Sequence, residues 1–221
     1  MATAATRTLV CRSRPTPEVV DDAAVDLWDR EARTFDDEVD HGLTSYAART
    51  AWRALMLSAL PPAPAHIADL GCGTATLTAL LAELGYTIDG IDFSPAMVER
   101  ARAKTAALPN VTVALGDAAE PQLPAGTYDA VLSRHVLWAM PDPAGALRRW
   151  CELLSDTGTL VLVEGNWSTG AGLTASKTVD LVGRLRDHVE VQHLEDPALW
   201  GRRIDDERYL VLSRASTTIA G

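Results

Sequence analysis

Residues 68–85, ADLGCGTATLTALLAELG, change from an apolar strand pattern to a helix pattern over a few positions. The apolar run ends at Leu70, two glycines and small hydroxyl residues follow, and apolar residues then return at helical spacing. Gly71 and Gly73 can adopt backbone conformations that other residues avoid, and they leave the main chain open to a ligand. The helix after them offers free N–H groups that suit a carboxylate or a phosphate. The segment therefore predicts a strand–turn–helix unit that binds a ligand.

The chain after residue 61 alternates between strand and helix patterns joined by short turns. This alternation predicts a doubly wound, Rossmann-like α/β fold with a seven-stranded sheet, parallel through its first five strands. The last two strands have no full crossover helix between them, which predicts an antiparallel hairpin at the C-terminal edge. The predicted strands are 66–70, 86–92, 111–117, 128–136, 158–165, 189–194 and 208–214, and the predicted helices are 76–84, 94–108, 142–154 and 173–187.

Three regions are predicted along the chain. Residues 1–17 are rich in Thr, Arg and Pro and are expected to form a disordered tail. Residues 18–60 are expected to form an N-terminal helical cap or lid, with helices at 17–35 and 44–60 separated by the acidic segment FDDEVDHGL. Residues 61–221 are expected to form the core. Within that core, the segment DPALWGRRIDDERYLV near the end is interpreted as a surface loop leading into the last strand.

Charge and cysteine content exclude several classes of function. The net charge is −10, and Lys and Arg are scattered rather than clustered, so a nucleic-acid partner is not expected. No apolar run approaches the roughly 20 residues of a membrane span. Cys11, Cys72 and Cys151 are too few and too widely spaced for a disulfide framework or a zinc site. We therefore expect no membrane partner, no metal and a reducing, cytoplasmic location.

The acidic residues after the second and third strands help to identify the ligand. Asp92 ends the second strand and would bind ribose hydroxyls both in a nicotinamide-binding protein and in one that binds another adenosyl ligand. Thr76 stands where the dinucleotide fingerprint requires Gly or Ala, which disfavours a nicotinamide cofactor. Asp117 follows the third strand and can accept a hydrogen bond from an exocyclic amine such as that of adenine. These positions favour an adenosyl ligand, with a nucleotide-dependent oxidoreductase of the same fold as the alternative.

Four sequence blocks carry a family resemblance. DLGCGTATL, GIDFSPAMVERAR, VALGDAAEPQLP and YDAVLSRHVLWAMPDP, in this order, resemble the class I S-adenosylmethionine-dependent methyltransferases over residues 35–165. The small bacterial members that act on small molecules are the most similar. The resemblance implies S-adenosyl-L-methionine as cofactor, S-adenosyl-L-homocysteine as product, and methyl transfer to an O, N or C nucleophile of a small-molecule acceptor. The glycine motif departs from the commonest family pattern at Ala75, where Gly is usual.

The resemblance also implies how the cofactor is bound. The turn of Gly71 and Gly73 would face the methionine part, and Asp92 would hold the ribose hydroxyls. Two residues would sandwich the adenine ring and two would contact its edge. The cofactor-binding residues implied are Asp69, Gly71, Gly73, Asp92, Phe93 and Met97 (the last two around adenine), Asp117 and the Ala118 amide (at its edge), and Ser133 (at the amino-acid end).

A general base is needed only if the attacking atom must first lose a proton. His135, after the fourth strand, is the first candidate, and a role in orienting the ligand is its alternative. His41, in the cap, is the second, with Asp40 beside it to orient the imidazole. A solvated acidic turn is the alternative interpretation of that segment, and Glu164 is a third residue that could touch a substrate.

The acceptor side is expected to be aromatic. The link 166–172 after the fifth strand is short, so acceptor recognition should depend mostly on residues 18–60. Six tryptophans against two phenylalanines suit an aromatic or amphipathic ligand. With the four sequence blocks and the short link, the hypothesis for the acceptor is an aromatic or amide-rich natural product. A cofactor-binding regulator without catalytic activity is a further alternative. The expected wall residues are Trp28, Phe35, Tyr46, Trp138 and Trp167.

Overall fold

The computed structural model describes residues 21–215 and contains a seven-stranded sheet in the order β3-β2-β1-β4-β5-β7-β6. Strands β1 to β5 are parallel, β7 is antiparallel to β5, and β6 is antiparallel to β7. The predicted fold and edge hairpin are confirmed. The predicted tail at 1–17 and Cys11 lie outside the described residues. The strands are β1 His66–Leu70, β2 Thr87–Asp92, β3 Val111–Leu115, β4 Tyr128–Arg134, β5 Leu154–Asn166, β6 Glu190–His193 and β7 Glu207–Ser213.

Eight α-helices cover the sheet and its carboxyl edge within the described residues. Each helix of eight or more residues except α4 is preceded by a residue whose side chain accepts a backbone N–H of the first turn. This hydrogen bond satisfies a donor that has no partner within the helix. None of these helices combines the length and apolar character needed to span a membrane. The helices are α1 Asp22–Glu31, α2 Val39–Gly42, α3 Tyr46–Ala59, α4 Thr76–Glu83, α5 Pro95–Thr105, α6 Pro143–Leu153, α7 Ala175–Gly183 and α8 Pro197–Trp200.

The apolar core divides between the two faces of the sheet. On one face, α3, α4 and α8 pack against the central strands around Trp52 and Leu81. On the other, α6 and α7 pack around Trp150. Strands β1 and β4 are buried on both faces, which is why they appear in the sequence as nearly continuous apolar runs. This packing fixes the carboxyl ends of β1, β2 and β4 at one edge.

The acidic segment after α1 separates α1 from α3 as predicted, and it also contains a 3-10 turn at Phe35–Asp37 and helix α2. One local prediction is wrong. The predicted surface loop contains α8, whose Leu199 and Trp200 are buried. The indole N–H of Trp52 donates to the carbonyl of Leu199 at 2.9 Å. Pattern reading misses α8 because its burial depends on α3, far away in the sequence.

Candidate active site

A cavity of about 300 Å³ lies at the carboxyl ends of β1, β2 and β4, beneath the segment between α1 and α2. One part of its wall is the glycine turn with the ends of β1 and β2, and the other is mostly aromatic. The wall brings together most of the residues predicted from sequence. These are Asp69, Gly71, Gly73, Asp92, Phe93, Met97, Ala118, His41 and His135, with Trp28, Phe35, Trp138 and Trp167 from the expected aromatic set.

The turn after β1 requires its two glycines. Gly71 and Gly73 have φ of +73° and +56°, in the left-handed region that glycine occupies at least cost. A Cβ at Gly71 would lie 2.4 Å from a methyl carbon of Val136, far inside contact distance. The turn is fixed to β2 because the N–H groups of Gly71 and Cys72 both donate to the carbonyl of Ile91 at 2.9 Å.

Asp92 joins the end of β2 to this turn. Its Oδ2 accepts the N–H of Gly73 and its Oδ1 accepts the N–H of Ser94, both at 2.9 Å. A carboxylate oxygen can accept more than one hydrogen bond, so both oxygens keep capacity for a ligand hydroxyl. The side chain is buried at the cavity wall, and this burial raises the pKa of Asp92. Asp92 is therefore a preorganised acceptor for paired hydroxyl groups.

Asp69 is the second buried carboxyl on this side. It lies at the cavity wall near the carboxyl end of β1 and accepts a hydrogen bond from the hydroxyl of Thr78, which connects the strand to α4. Burial raises the pKa of Asp69 to about 6.

The start of α4 lacks the usual cap. Ala75 holds the cap position with φ +60°, and no side chain there accepts a hydrogen bond from the first turn. Among helices of eight or more residues in the described part of the chain, α4 alone has this property. Its first N–H groups therefore remain able to bind a negatively charged group.

Asp36 fastens the cap segment over the glycine turn. Its carboxylate accepts the hydroxyls of Thr74 and Thr76 and forms an ion pair with Lys104 at 2.9 Å. Burial acts to raise the pKa of Asp36, but the hydrogen bonds from Thr74 and Lys104 outweigh it, so the pKa is lowered. The interpretation of this segment as a solvated turn is therefore wrong for Asp36.

His135 lies on the aromatic side of the cavity in an unusual conformation. Its φ is +59°, its Nε2 is buried, and no group in residues 21–215 forms a hydrogen bond with that atom. Burial lowers the pKa of His135 well below 6.5, so the imidazole is neutral near pH 7. The indole of Trp138 donates to the His135 carbonyl at 2.9 Å, and the Trp167 ring lies edge-on, 5.2 Å from the imidazole centroid.

His41 meets the same cavity from the cap. Its ring stacks on Phe35 with centroids 4.1 Å apart, and its Nδ1 is buried without a partner among the described residues. Burial, aided by the charge of Arg134, lowers the pKa of His41. Asp40 does not orient this ring as expected: its Oδ2 is 3.0 Å from the Arg134 guanidinium but 3.6 Å from the imidazole.

Arg134 is a cavity residue that the sequence analysis missed. Its guanidinium lies 4.2 Å from the centroid of the buried Trp52 ring and pairs with Asp40. Possible metal-donor atoms of Asp40, His41 and His135 lie within 4.8 Å of one another. Because the Arg134 charge already neutralises Asp40, this cluster disfavours a divalent cation.

Four residues proposed from sequence have other surroundings. Ser133 is fully buried and donates its hydroxyl to the carbonyl of Leu70 at 3.2 Å, so it supports the sheet rather than the cavity wall. Asp117 accepts the N–H of Ala119 at 2.7 Å, and only its neighbour Ala118 belongs to the wall. Tyr46 is 87% exposed and lies outside the cavity lining. Glu164 is buried and bonds to backbone N–H groups instead of facing the cavity.

Known proteins resemble this chain in sequence. Residues 68–162 match the family described as a methyltransferase domain. The chain is 35% identical to trans-aconitate 2-methyltransferase of Streptomyces avermitilis over 66% of this chain and 54% of that protein. It is 31% identical to aklanonic acid methyltransferase of a Streptomyces species over 48% and 50%, respectively. The chain thus spans about half the length of the curated relatives that it matches.

A solved structure gives the same fold. The geranyl diphosphate C-methyltransferase of Streptomyces coelicolor, crystallised with S-adenosyl-L-homocysteine, matches with a TM-score of 0.63 at 11% identity. The match covers 76% of each chain. At this identity the comparison supports the fold alone.

Proposed function

The chain belongs to the class I S-adenosylmethionine-dependent methyltransferases, and from this we propose that it transfers a methyl group to a flat, aromatic small molecule. The observation that carries the proposal is one cavity with two kinds of wall. The glycine turn and Asp92 suit the cofactor, whereas Trp138, Trp167 and His135 suit an aromatic acceptor.

The residues present fit S-adenosyl-L-methionine. Gly71 and Gly73 expose main chain, and the uncapped start of α4 can receive the carboxylate of the methionine part. Asp92 can receive the two ribose hydroxyls, and Phe93 and Met97 are available on the same wall for the adenine ring. In this proposal the Ala118 amide and Asp117 contact the adenine edge, and Ser133 joins the carboxyl end of β4 to that of β1 near the amino-acid end of the cofactor.

When bound, S-adenosyl-L-methionine supplies an electrophilic methyl group on a sulfonium centre. The protein must then align the acceptor and exclude water. Trp138 and Trp167, whose rings are inclined at 60° to each other, provide aromatic walls beside His135. A neutral His135 can take the proton of an acceptor O–H or N–H at Nε2, the atom that lacks a partner. His41 is the second group able to do so.

Titration calorimetry with S-adenosyl-L-homocysteine tests the cofactor assignment. We expect saturable binding of the thioether and none of a reduced nicotinamide, because Thr76 opens α4 where a dinucleotide fold needs Gly or Ala. Binding of the nicotinamide alone would support the oxidoreductase alternative. Cofactor binding without methyl transfer to a broad panel of aromatic acceptors would support the regulator.

Asp92→Ala should weaken S-adenosyl-L-homocysteine binding by about 1–3 kcal/mol, or roughly 5- to 150-fold, because two ribose hydroxyls lose their acceptor. The measurement is the dissociation constant from calorimetry. Asp89→Ala is the matched control, since Asp89 lies on the same strand but bonds to His66 and Tyr128 away from the cavity. Equal affinities for the two variants would contradict the ribose role.

His135→Asn should lower the methyl-transfer rate by about 10²–10⁴-fold while cofactor affinity stays within a few-fold. Asn is chosen because it tolerates the left-handed conformation that this position requires. The measurement is single-turnover transfer to an acceptor found in the panel, alongside calorimetry with S-adenosyl-L-homocysteine. His66→Gln is the control. An unchanged rate in His135→Asn would contradict the role of His135 as general base.

A further inference from the structure

Glu164 is a buried carboxyl with an unusual set of partners. It lies near the end of β5, opposite Tyr209 of β7, and its side chain is fully buried. Its Oε1 accepts two consecutive backbone N–H groups, from Val136 at 3.0 Å and from Leu137 at 2.8 Å. Its Oε2 has no hydrogen-bond partner in the described part of the chain.

The segment that Glu164 holds links the two sides of the cavity. His135, with φ +59°, donates its own N–H to the carbonyl of Val163 at 2.8 Å. Three successive amides, from residues 135 to 137, are therefore fixed by the end of β5. The Val136 side chain lies directly against Gly71, close enough that a Cβ on that glycine would overlap it.

The conformation of His135 needs such support. A non-glycine residue in the left-handed region is strained and persists only where its surroundings fix it. Two buried N–H groups would also lose their acceptor if the carboxyl were removed. No other acceptor in residues 21–215 bonds to the N–H of Val136 or Leu137.

We propose that Glu164 is a positioning residue: it fixes residues 135–137 so that the His135 imidazole faces the acceptor while Val136 packs against the glycine turn. This inference rests on the proposed function, since it gives that site its geometry. Glu164 reaches neither ligand and acts through the backbone. A neutral or an ionised carboxyl can accept both N–H groups, and a glutamine carbonyl can do the same.

The experiment compares Glu164→Gln with Glu164→Leu, which keeps the volume but removes the acceptor. Amide hydrogen exchange at Val136 and Leu137 and the imidazole NMR signals of His135 are the readouts. In Glu164→Leu we expect exchange at least a hundredfold faster at both amides and a displaced His135 signal, while Glu164→Gln matches the unmodified protein. Glu207→Gln is the control, because Glu207 also accepts a backbone N–H, that of Ala175 at 3.2 Å, away from the cavity.

Wild-type exchange and His135 signals in a folded Glu164→Leu protein would overturn the proposal. Should that variant not fold, Glu164→Asp retains the carboxyl group but shortens the side chain, and slow exchange at both amides in it would equally overturn the proposal. Neither readout needs cofactor or acceptor. Failure here is therefore separate from failure of the methyltransferase proposal, which calorimetry with S-adenosyl-L-homocysteine tests.

Discussion

Gly73→Val should abolish detectable binding of S-adenosyl-L-homocysteine, a loss of more than about a hundredfold, or roughly 3 kcal/mol. The new side chain would begin 3.3 Å from the Phe35 ring, within the cavity that the cofactor is proposed to fill. Gly73 also has φ +56°, a conformation that a β-branched residue adopts only with strain, so the turn would shift away from Asp92. Calorimetry at millimolar ligand measures the effect.

Gly126→Val separates blockage of the cavity from backbone strain. Gly126 has a similar φ of +66°, and a Cβ there would meet nothing within 4 Å. Both variants should lose stability to a similar extent in thermal unfolding, but only Gly73→Val should lose the ligand. Retained affinity in Gly73→Val would show that the cofactor does not lie against this turn. Lost affinity in both would assign the effect to strain.

Local patterns predict the parts of this site that depend on nearby residues. The glycine turn and helix α4 are predictable because a strand pattern ends there, glycines supply the left-handed φ, and a helix pattern begins. Asp92 is predictable because it ends the next strand. The alternation of the remaining elements predicts a doubly wound sheet with an antiparallel edge, and both are confirmed. Element bounds differ in detail: β5, for instance, begins at Leu154 rather than at residue 158.

The parts that were missed depend on partners far apart in the sequence. Asp36 meets Thr74 across 38 positions, and Arg134 meets Asp40 across 94. The sequence around Asp36 is acidic and polar, so nothing local distinguishes a partly buried, hydrogen-bonded carboxylate from one in a solvated turn. Glu164 lies near the end of an apolar strand, where its sequence position is equally compatible with contact to a substrate. Its hydrogen bond to the backbone of Val136, 28 positions away, is not visible in the local pattern. Such roles arise from tertiary contacts that periodicity does not encode.

Two buried carboxyls should make the protein less stable as pH rises. Burial raises the pKa of Glu164 from 4.5 to about 8, the larger effect, and that of Asp69 from 3.8 to about 6. In each case the folded-state pKa lies above the unfolded value. The stabilisation is therefore fully present below the unfolded pKa and is lost as pH rises through the folded one. The Glu164 contribution accordingly declines between about pH 4.5 and 8.

Glu164→Gln should remove most of this dependence. The amide cannot ionise, yet it can accept the N–H groups of Val136 and Leu137, so the variant should match the wild-type protein near pH 4.5. At pH 9 its free energy of unfolding should exceed that of the wild type by about 3–5 kcal/mol, since each pKa unit corresponds to about 1.4 kcal/mol. Urea unfolding followed by tryptophan fluorescence at pH 4.5, 7 and 9 measures the difference. Because both proteins retain Asp69, its contribution cancels in the comparison. If the free energy of unfolding declined in parallel for the two proteins over this pH range, Glu164 would already be ionised in the folded protein.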